Sequence, residues 1–198
     1  MHAPVIGVLA LQGAFAKHME MLHALSIQAK EVRTPQDLQE CDGLIIPGGE
    51  STTISKQMRY IHLEEPIREF AKKKPLFGTC AGLILMASEV DIGEITPFHL
   101  LDISVQRNAY GRQIESFEAE VDIFLGRPKQ TFPAIFIRAP LIKSCGKQVE
   151  ILSSFNHTPI LVQQGRHLGA TFHPELSHQT MIHRYFFKLV KDAASAKD

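Results

Sequence analysis

Short apolar runs alternate with longer amphipathic stretches over the first half of the chain, the rhythm of strand, helix and strand in a parallel sheet. Val5 to Leu11 reads as the first strand. Phe15 to Leu25 follows, with Phe15, Met19, Leu22 and Leu25 near helical spacing, and Ile27 to Val32 reads as a second strand. Gly43 to Ile46 is a third, closed by Pro47-Gly48-Gly49, where paired glycines permit backbone conformations that other residues resist. Polar helical stretches from Ser51 and over Glu64 to Lys73 lead to Pro75. Leu76-Phe77 then forms a short strand that breaks at Gly78-Thr79-Cys80-Ala81-Gly82, before the apolar helix Leu83 to Ala87.

From about Asp91 the rhythm changes. Ile103 to Arg107, Phe117 to Ile123, Ala134 to Ile137, Glu150 to Ser154, Ile160 to Gln164 and His167 to Phe172 read as strands separated by turn residues. The pattern predicts a mostly parallel sheet flanked by helices, with antiparallel strands added in the second half. A last helix, His178 to Asp192, carries Met181, Ile182, Tyr185, Phe186 and Leu189 as a packing stripe. Residues 193–198 are small and polar and are expected to fray, which leaves one domain over residues 1–192.

Composition narrows the function classes. A chain of 198 residues, 44% hydrophobic and 21% charged, can bury one good core. Lys+Arg and Asp+Glu balance at 21 each, so there is no basic footprint for nucleic acid or an anionic membrane, and a small neutral or zwitterionic substrate suits better. No apolar run approaches the roughly 18 residues of a membrane span, and no basic segment precedes the first apolar run as in a signal peptide. Cys41, Cys80 and Cys145 are odd in number and too widely spaced for a disulfide framework or a zinc knuckle. A cytoplasmic, reducing setting is expected.

The chemistry concentrates at Cys80. Gly-x-Cys-x-Gly between an apolar strand and a helix is the cysteine form of a nucleophile elbow, and a thiol at a helix N-terminus feels the positive end of the helix dipole. His173 and Glu175 follow the apolar run Leu168 to Phe172, with Pro174 restricting the backbone between them. A carboxylate held there can accept the ring proton of His173 and stabilise its charged form, which gives a triad in the order Cys80, His173, Glu175. Acyl transfer also needs backbone N–H groups aimed at the developing oxyanion, and Ala81 and Gly49 are the candidates. Each feature has a plainer use: a cysteine after a strand packs as a small apolar residue, and Gly48-Gly49 can be a simple turn with Ser51 or Thr52 capping the next helix. The combination of the three favours nucleophilic acyl transfer.

Six segments resemble the triad glutamine amidotransferases and, within them, the PdxT family of pyridoxal 5'-phosphate synthase glutaminase subunits. They are Gly7 to Ala14, Leu44 to Thr53, Phe77 to Leu83, Arg107-Asn108-Ala109-Tyr110-Gly111-Arg112-Gln113, Phe136-Ile137-Arg138-Ala139-Pro140 and Phe172 to Leu176. The elbow and His-Pro-Glu mark the wider class. Gly-Gly-Glu-Ser-Thr-Thr, the Arg107 to Gln113 run and Ile-Arg-Ala-Pro are specific to the narrower family. The resemblance implies a flavodoxin-like class I glutamine amidotransferase fold of α/β class, with Cys80 as nucleophile and His173 with Glu175 as its relay. It implies glutamine binding by Gly49, Glu50, Ser51, Arg107, Ile137 and Arg138. Glu50 and either arginine have suitable signs for the two charged ends of a free amino acid, and spacing alone leaves open which touches which.

The resemblance further implies a partner, a synthase subunit of the PdxS family with a (β/α)8 barrel. It would receive ammonia and combine it with ribose 5-phosphate and glyceraldehyde 3-phosphate. Twelve of each subunit would form the complex, with Gln12 and Gly13 at the interface, or serving as an ordinary strand-to-helix turn. No metal or organic cofactor is required for glutamine hydrolysis. Three other readings fit the same elbow: a glutaminase feeding another synthase such as imidazole glycerol phosphate synthase, a regulatory protein with an unused triad, and a peptidase or γ-glutamyl hydrolase active without a partner.

Overall fold

A computed structural model describes residues 3–91, 95–107, 116–126 and 128–195. The first half runs β1 (Val5–Leu9), α1 (Phe15–Ala24), β2 (Gln28–Val32), α2 (Pro35–Gln39), β3 (Gly43–Ile46), α3 (Ser51–Tyr60), α4 (Glu64–Ala71), β4 (Leu76–Thr79) and α5 (Ala81–Met86). Then come β5 (Ala87–Val90), β6 (Leu101–Gln106), β7 (Ser116–Ile123), β8 (Gln130–Ile137), β9 (Leu141–Cys145), β10 (Glu150–Phe155), β11 (Thr158–Gln164) and β12 (His167–Ala170). A 3-10 turn at Pro174–Leu176 and α6 (Met181–Ser195) complete the order.

The main sheet has seven strands in the order β10-β11-β12-β4-β3-β1-β2. β2, β1, β3, β4 and β12 are parallel, and β11 and β10 continue antiparallel. Ile46 pairs with Gly78, and Thr79 with Ala170, so β3, β4 and β12 finish level at one carboxyl edge. The chain reverses its direction of growth between β1 and β3, and the crevice above such a reversal is where ligands sit in open α/β sheets. The expected parallel core with antiparallel additions is what the molecule has.

Both faces of the sheet are covered, which is why its central strands are apolar throughout rather than alternating. Leu44 and Ile46 of β3 face a core shared with Ile54, Met58, Ile67 and Leu83 of α3, α4 and α5. Ile45 faces the other way, onto Leu22 of α1, Ile182 and Phe186 of α6, and Phe132 and Phe136 of β8. The β7–β8 hairpin thus closes the second core with aromatic rings, Phe136 lying 5.7 Å from Phe172.

Several boundaries differ from the sequence expectation. The first strand stops at Leu9, because Leu11 to Gly13 turn away after Ala10 N–H bonds Val32 O. The last helix starts at Met181 rather than His178 and continues to Ser195. α2 is held by a capping box in which Thr34 and Asp37 satisfy each other's backbone N–H. The apolar helix begins at Ala81 instead of Leu83, all six of its residues are buried, and the chain becomes β5 at Ala87. β5 and β9 flank β6 in a separate three-stranded sheet. Among the described residues, no helix is long and apolar enough to cross a membrane.

Candidate active site

Cys80 sits between the last residue of β4 and the first of α5, with φ 48° and ψ −103°. A non-glycine residue at positive φ is strained, and here the surroundings over-determine it. Its N–H bonds Ala170 O of β12 at 2.9 Å, and its carbonyl accepts from Ile84 N–H at 3.2 Å as α5 begins. Close helix packing requires Gly82, where a Cβ would lie 1.9 Å from the Ile46 carbonyl oxygen. The Cys80 side chain is only 7% exposed, and its Sγ lies 3.8 Å from Ile137 O.

His173 follows β12, and its N–H bonds Ile135 O of β8 at 2.8 Å, so the hairpin fixes where the ring begins. The turn at Pro174–Leu176 folds Glu175 back until its Oε1 is 2.7 Å from His173 Nδ1. Burial of the ring opposes its charged form, but the adjacent Cys80 sulfur and the Glu175 carboxylate outweigh that and raise its pKa to about 10. Glu175 is buried too, which would favour its neutral form, yet His18 and His173 hold it below the usual carboxylate range. The three side chains predicted as a triad are therefore brought together.

Cys80 and His173 open into a cavity of about 190 Å³. Cys80 and His173 line it, as do Gly49, Glu50, Ser51, Arg107, Ile137 and Arg138, so every residue expected at a glutamine site reaches it. Glu50 also caps α3: it accepts from Thr53 N–H at 2.7 Å and Thr53 Oγ1 at 2.6 Å, and from Thr52 N–H at 3.2 Å. Burial works against its charge, but the Thr52 and Thr53 hydroxyls and amides prevail and hold its pKa at about 2. Arg107 approaches it at 3.6 Å. The cap therefore belongs to Glu50, not to Ser51 or Thr52. Among the lining residues, Glu50 is the one carboxylate and Arg107 and Arg138 are the arginines, complementary in kind to the two charged ends of a zwitterion.

The Gly48-Gly49 loop lies beside the triad. A Cβ on Gly48 would fall 2.3 Å from His173 Cε1 and 3.3 Å from Cys80 Cβ, so only glycine fits between them. Gly48 N–H donates to Thr79 Oγ1 at 3.1 Å, and Gly48 O accepts from Ala14 N–H at 3.0 Å. Glu50 N–H donates to Gln12 Oε1 at 2.8 Å. The Gly48 and Glu50 amides thus have partners, while Gly49 faces the cavity and Ala81, first in α5, has an N–H without an intrahelical acceptor. Gln12 and Gly13 pack directly on this loop.

Sequence reasoning missed Ile84, which lines the cavity one turn along α5 from Cys80; the i to i+4 spacing was the available signal. It also missed Thr79, His18 and His183, buried behind the triad. The expected motif residues Asn108 to Gln113 lie outside the described residues.

Similar proteins identify the family. Residues 8–192 match the model of the SNO glutamine amidotransferase family. A protein of Dehalococcoides mccartyi named pyridoxal 5'-phosphate synthase subunit PdxT is 51% identical over 190 residues, covering 94% of this chain and 97% of the relative. One of the same name from Thermosipho africanus is 46% identical over 187 residues, covering 94% and 98%. A crystal structure described as a glutamine amidotransferase superposes with a TM-score of 0.87 at 44% identity, covering 94% of this chain and 98% of that one. With the family model matched over residues 8–192 and about half the residues shared with full-length relatives, the chain belongs to the SNO glutamine amidotransferase family.

Proposed function

We propose that the protein is the glutaminase subunit of a pyridoxal 5'-phosphate synthase, hydrolysing L-glutamine to L-glutamate and ammonia. The observation that carries this reading is the 2.7 Å pairing of His173 with Glu175 behind a cavity that Cys80 and His173 line, in a chain about half identical to proteins named as pyridoxal 5'-phosphate synthase subunits. Gly49, Glu50, Ser51, Arg107, Ile137 and Arg138 bind glutamine, with its amide carbon presented to Cys80.

The Cys80 proton passes to His173, and the thiolate attacks the amide carbon. The tetrahedral oxyanion is held by the N–H groups of Gly49 and Ala81, each such donor lowering the barrier by roughly 3 kcal/mol. The charged His173 then gives that proton to the departing nitrogen, which leaves as ammonia. A glutamyl thioester remains; His173 then deprotonates a water that hydrolyses it. Glu175 fixes the ring tautomer throughout.

The partner is a PdxS-type synthase subunit, twelve of each chain forming the complex in the cytoplasm, and Gln12 and Gly13 meet it. Ammonia released into bulk water at neutral pH is protonated, so delivery within such a complex preserves the nucleophile. Ammonia release is to be assayed with and without the synthase. Cys80→Ala should lower partner-stimulated release by at least about a thousandfold. Unchanged release in that variant would falsify the assignment. Light scattering on the mixed subunits checks the stoichiometry.

A further inference from the structure

Behind the triad, on the side away from the cavity, lie two fully buried histidines that the reaction above does not use. His18 comes from α1 and His183 from α6, both with no exposed surface. His18 Nδ1 is 2.9 Å from His183 Nε2, and His18 Nε2 is 3.2 Å from Thr79 Oγ1 and 3.4 Å from Glu175 Oε2. Glu175 uses Oε1 on His173, while its buried Oε2 has no hydrogen-bond partner among the described residues. Thr79 Oγ1 in turn accepts the Gly48 N–H.

The protons can be placed by elimination. An ionised Glu175 only accepts, and a buried carboxylate oxygen facing a ring lone pair would be both unsatisfied and repelled. The proton of His18 therefore sits on Nε2, directed between Glu175 Oε2 and Thr79 Oγ1. Nδ1 is then the acceptor, and His183 supplies Nε2–H to it. His183 Nδ1, without a partner among the described residues, is left as a bare acceptor. That is the cheaper of the two deficits, because it strands a neutral lone pair instead of a charged oxygen. Burial keeps both rings neutral: it lowers His18 against the pull of Glu175, and it lowers His183 to about 3. The pair thus contributes a directed N–H and no competing positive charge.

Building on the proposed glutaminase reading, we infer that His18 is a positioning residue for the reaction. Its Nε2–H holds the outer oxygen of Glu175 and the Thr79 hydroxyl together, so one ring aligns the His173 relay and the Gly48 loop at once, with His183 selecting its tautomer. His18 touches neither the cavity nor the thiol. Its loss should slow the chemical step far more than it weakens glutamine binding.

The test uses the full chain saturated with its synthase partner and compares wild type, His18→Leu, His18→Gln, His183→Leu and Cys80→Ala. Glutamine gives kcat and KM, and iodoacetamide gives the alkylation rate of Cys80 as a function of pH. His18→Leu should lower kcat by roughly tenfold to a hundredfold, the scale seen when the hydrogen-bond partner behind an oriented histidine is removed. KM should stay within about twofold, and the pH profile of alkylation should shift. His18→Gln, which keeps an N–H near the Nε2 position, should recover most of both. His183→Leu should show the same kcat defect in weaker form, and it carries the test with His18→Gln if His18→Leu does not fold. A folded His18→Leu with wild-type kcat and alkylation profile overturns the inference. So does a Gln variant as impaired as Leu, which would mark the ring as packing alone. Cys80→Ala with undiminished ammonia release would instead overturn the glutaminase reading, so the two failures are distinct.

Discussion

Cys80 is carried by two hydrogen-bonded strands and a helix with every residue buried, whereas the Gly48–Glu50 loop beside it is held by bonds from Thr79, Ala14 and Gln12 and, at its far end, by the Glu50 cap on α3. The nucleophile is placed by backbone and core. The loop is placed by side chains and turns reaching over from other elements and by its own cap on α3. The thiol is therefore the harder of the two to disturb, and the loop the easier to shift, through the Gln12 turn that packs on it.

Breaking the elbow should have the larger effect. Gly82→Ala puts a methyl 1.9 Å from the Ile46 carbonyl, with backbone on both sides and nothing flexible to yield. We expect a loss of about 3 kcal/mol or more, read as a large drop in urea midpoint or failure to fold. Gly48→Ala probes the loop. Its methyl meets a side chain, the His173 ring at 2.3 Å, which can swing aside. The melting temperature should fall less than for Gly82→Ala, while kcat drops roughly a hundredfold because the relay is displaced by a fraction of an ångström to an ångström. Equal stability losses in the two variants would erase the contrast between the walls.

How far the sequence reveals this arrangement depends on the range of the interactions. The strand Gly43 to Ile46, the elbow and the His-Pro-Glu turn are legible because neighbouring residues determine them: an unbroken apolar run, two flanking glycines, a proline-restricted pair. α2 could have been read from Thr34-Pro35-Gln36-Asp37, whose capping box is local. β5 and β9 are short and mixed in burial, and they owe their state to pairing with β6 rather than to their own pattern. The partnership of His18 with His183 spans 165 positions and that with Thr79 spans 61, so no local period could announce it. Glu50 shows the converse: its charge was legible, but its work as the cap of α3 emerges only with the folded geometry.

The smallest expected effect sharpens that last point. Glu50 has a pKa of about 2 against an ordinary 4.5, so its cap contributes stability above about pH 4.5 and loses it as pH falls through 2. Glu50→Gln should cost about 0.5–1 kcal/mol at neutral pH, towards the lower figure because the side chain is 42% exposed and water screens it. The gap between variant and wild type in acid titrations followed by circular dichroism should close towards pH 2. A gap independent of pH would mean that the carboxylate charge contributes nothing to the cap.

The position of β12 has a consequence for biosynthesis. This strand, residues His167–Ala170, lies in the middle of the sheet between β4 and β11, although it is made after every other strand of that sheet. Until then β4 has one open edge, a backbone template that invites pairing with other nascent chains. The same order means that the thiol of Cys80 is made well before His173, so the proposed relay cannot be assembled until β12 has joined the sheet.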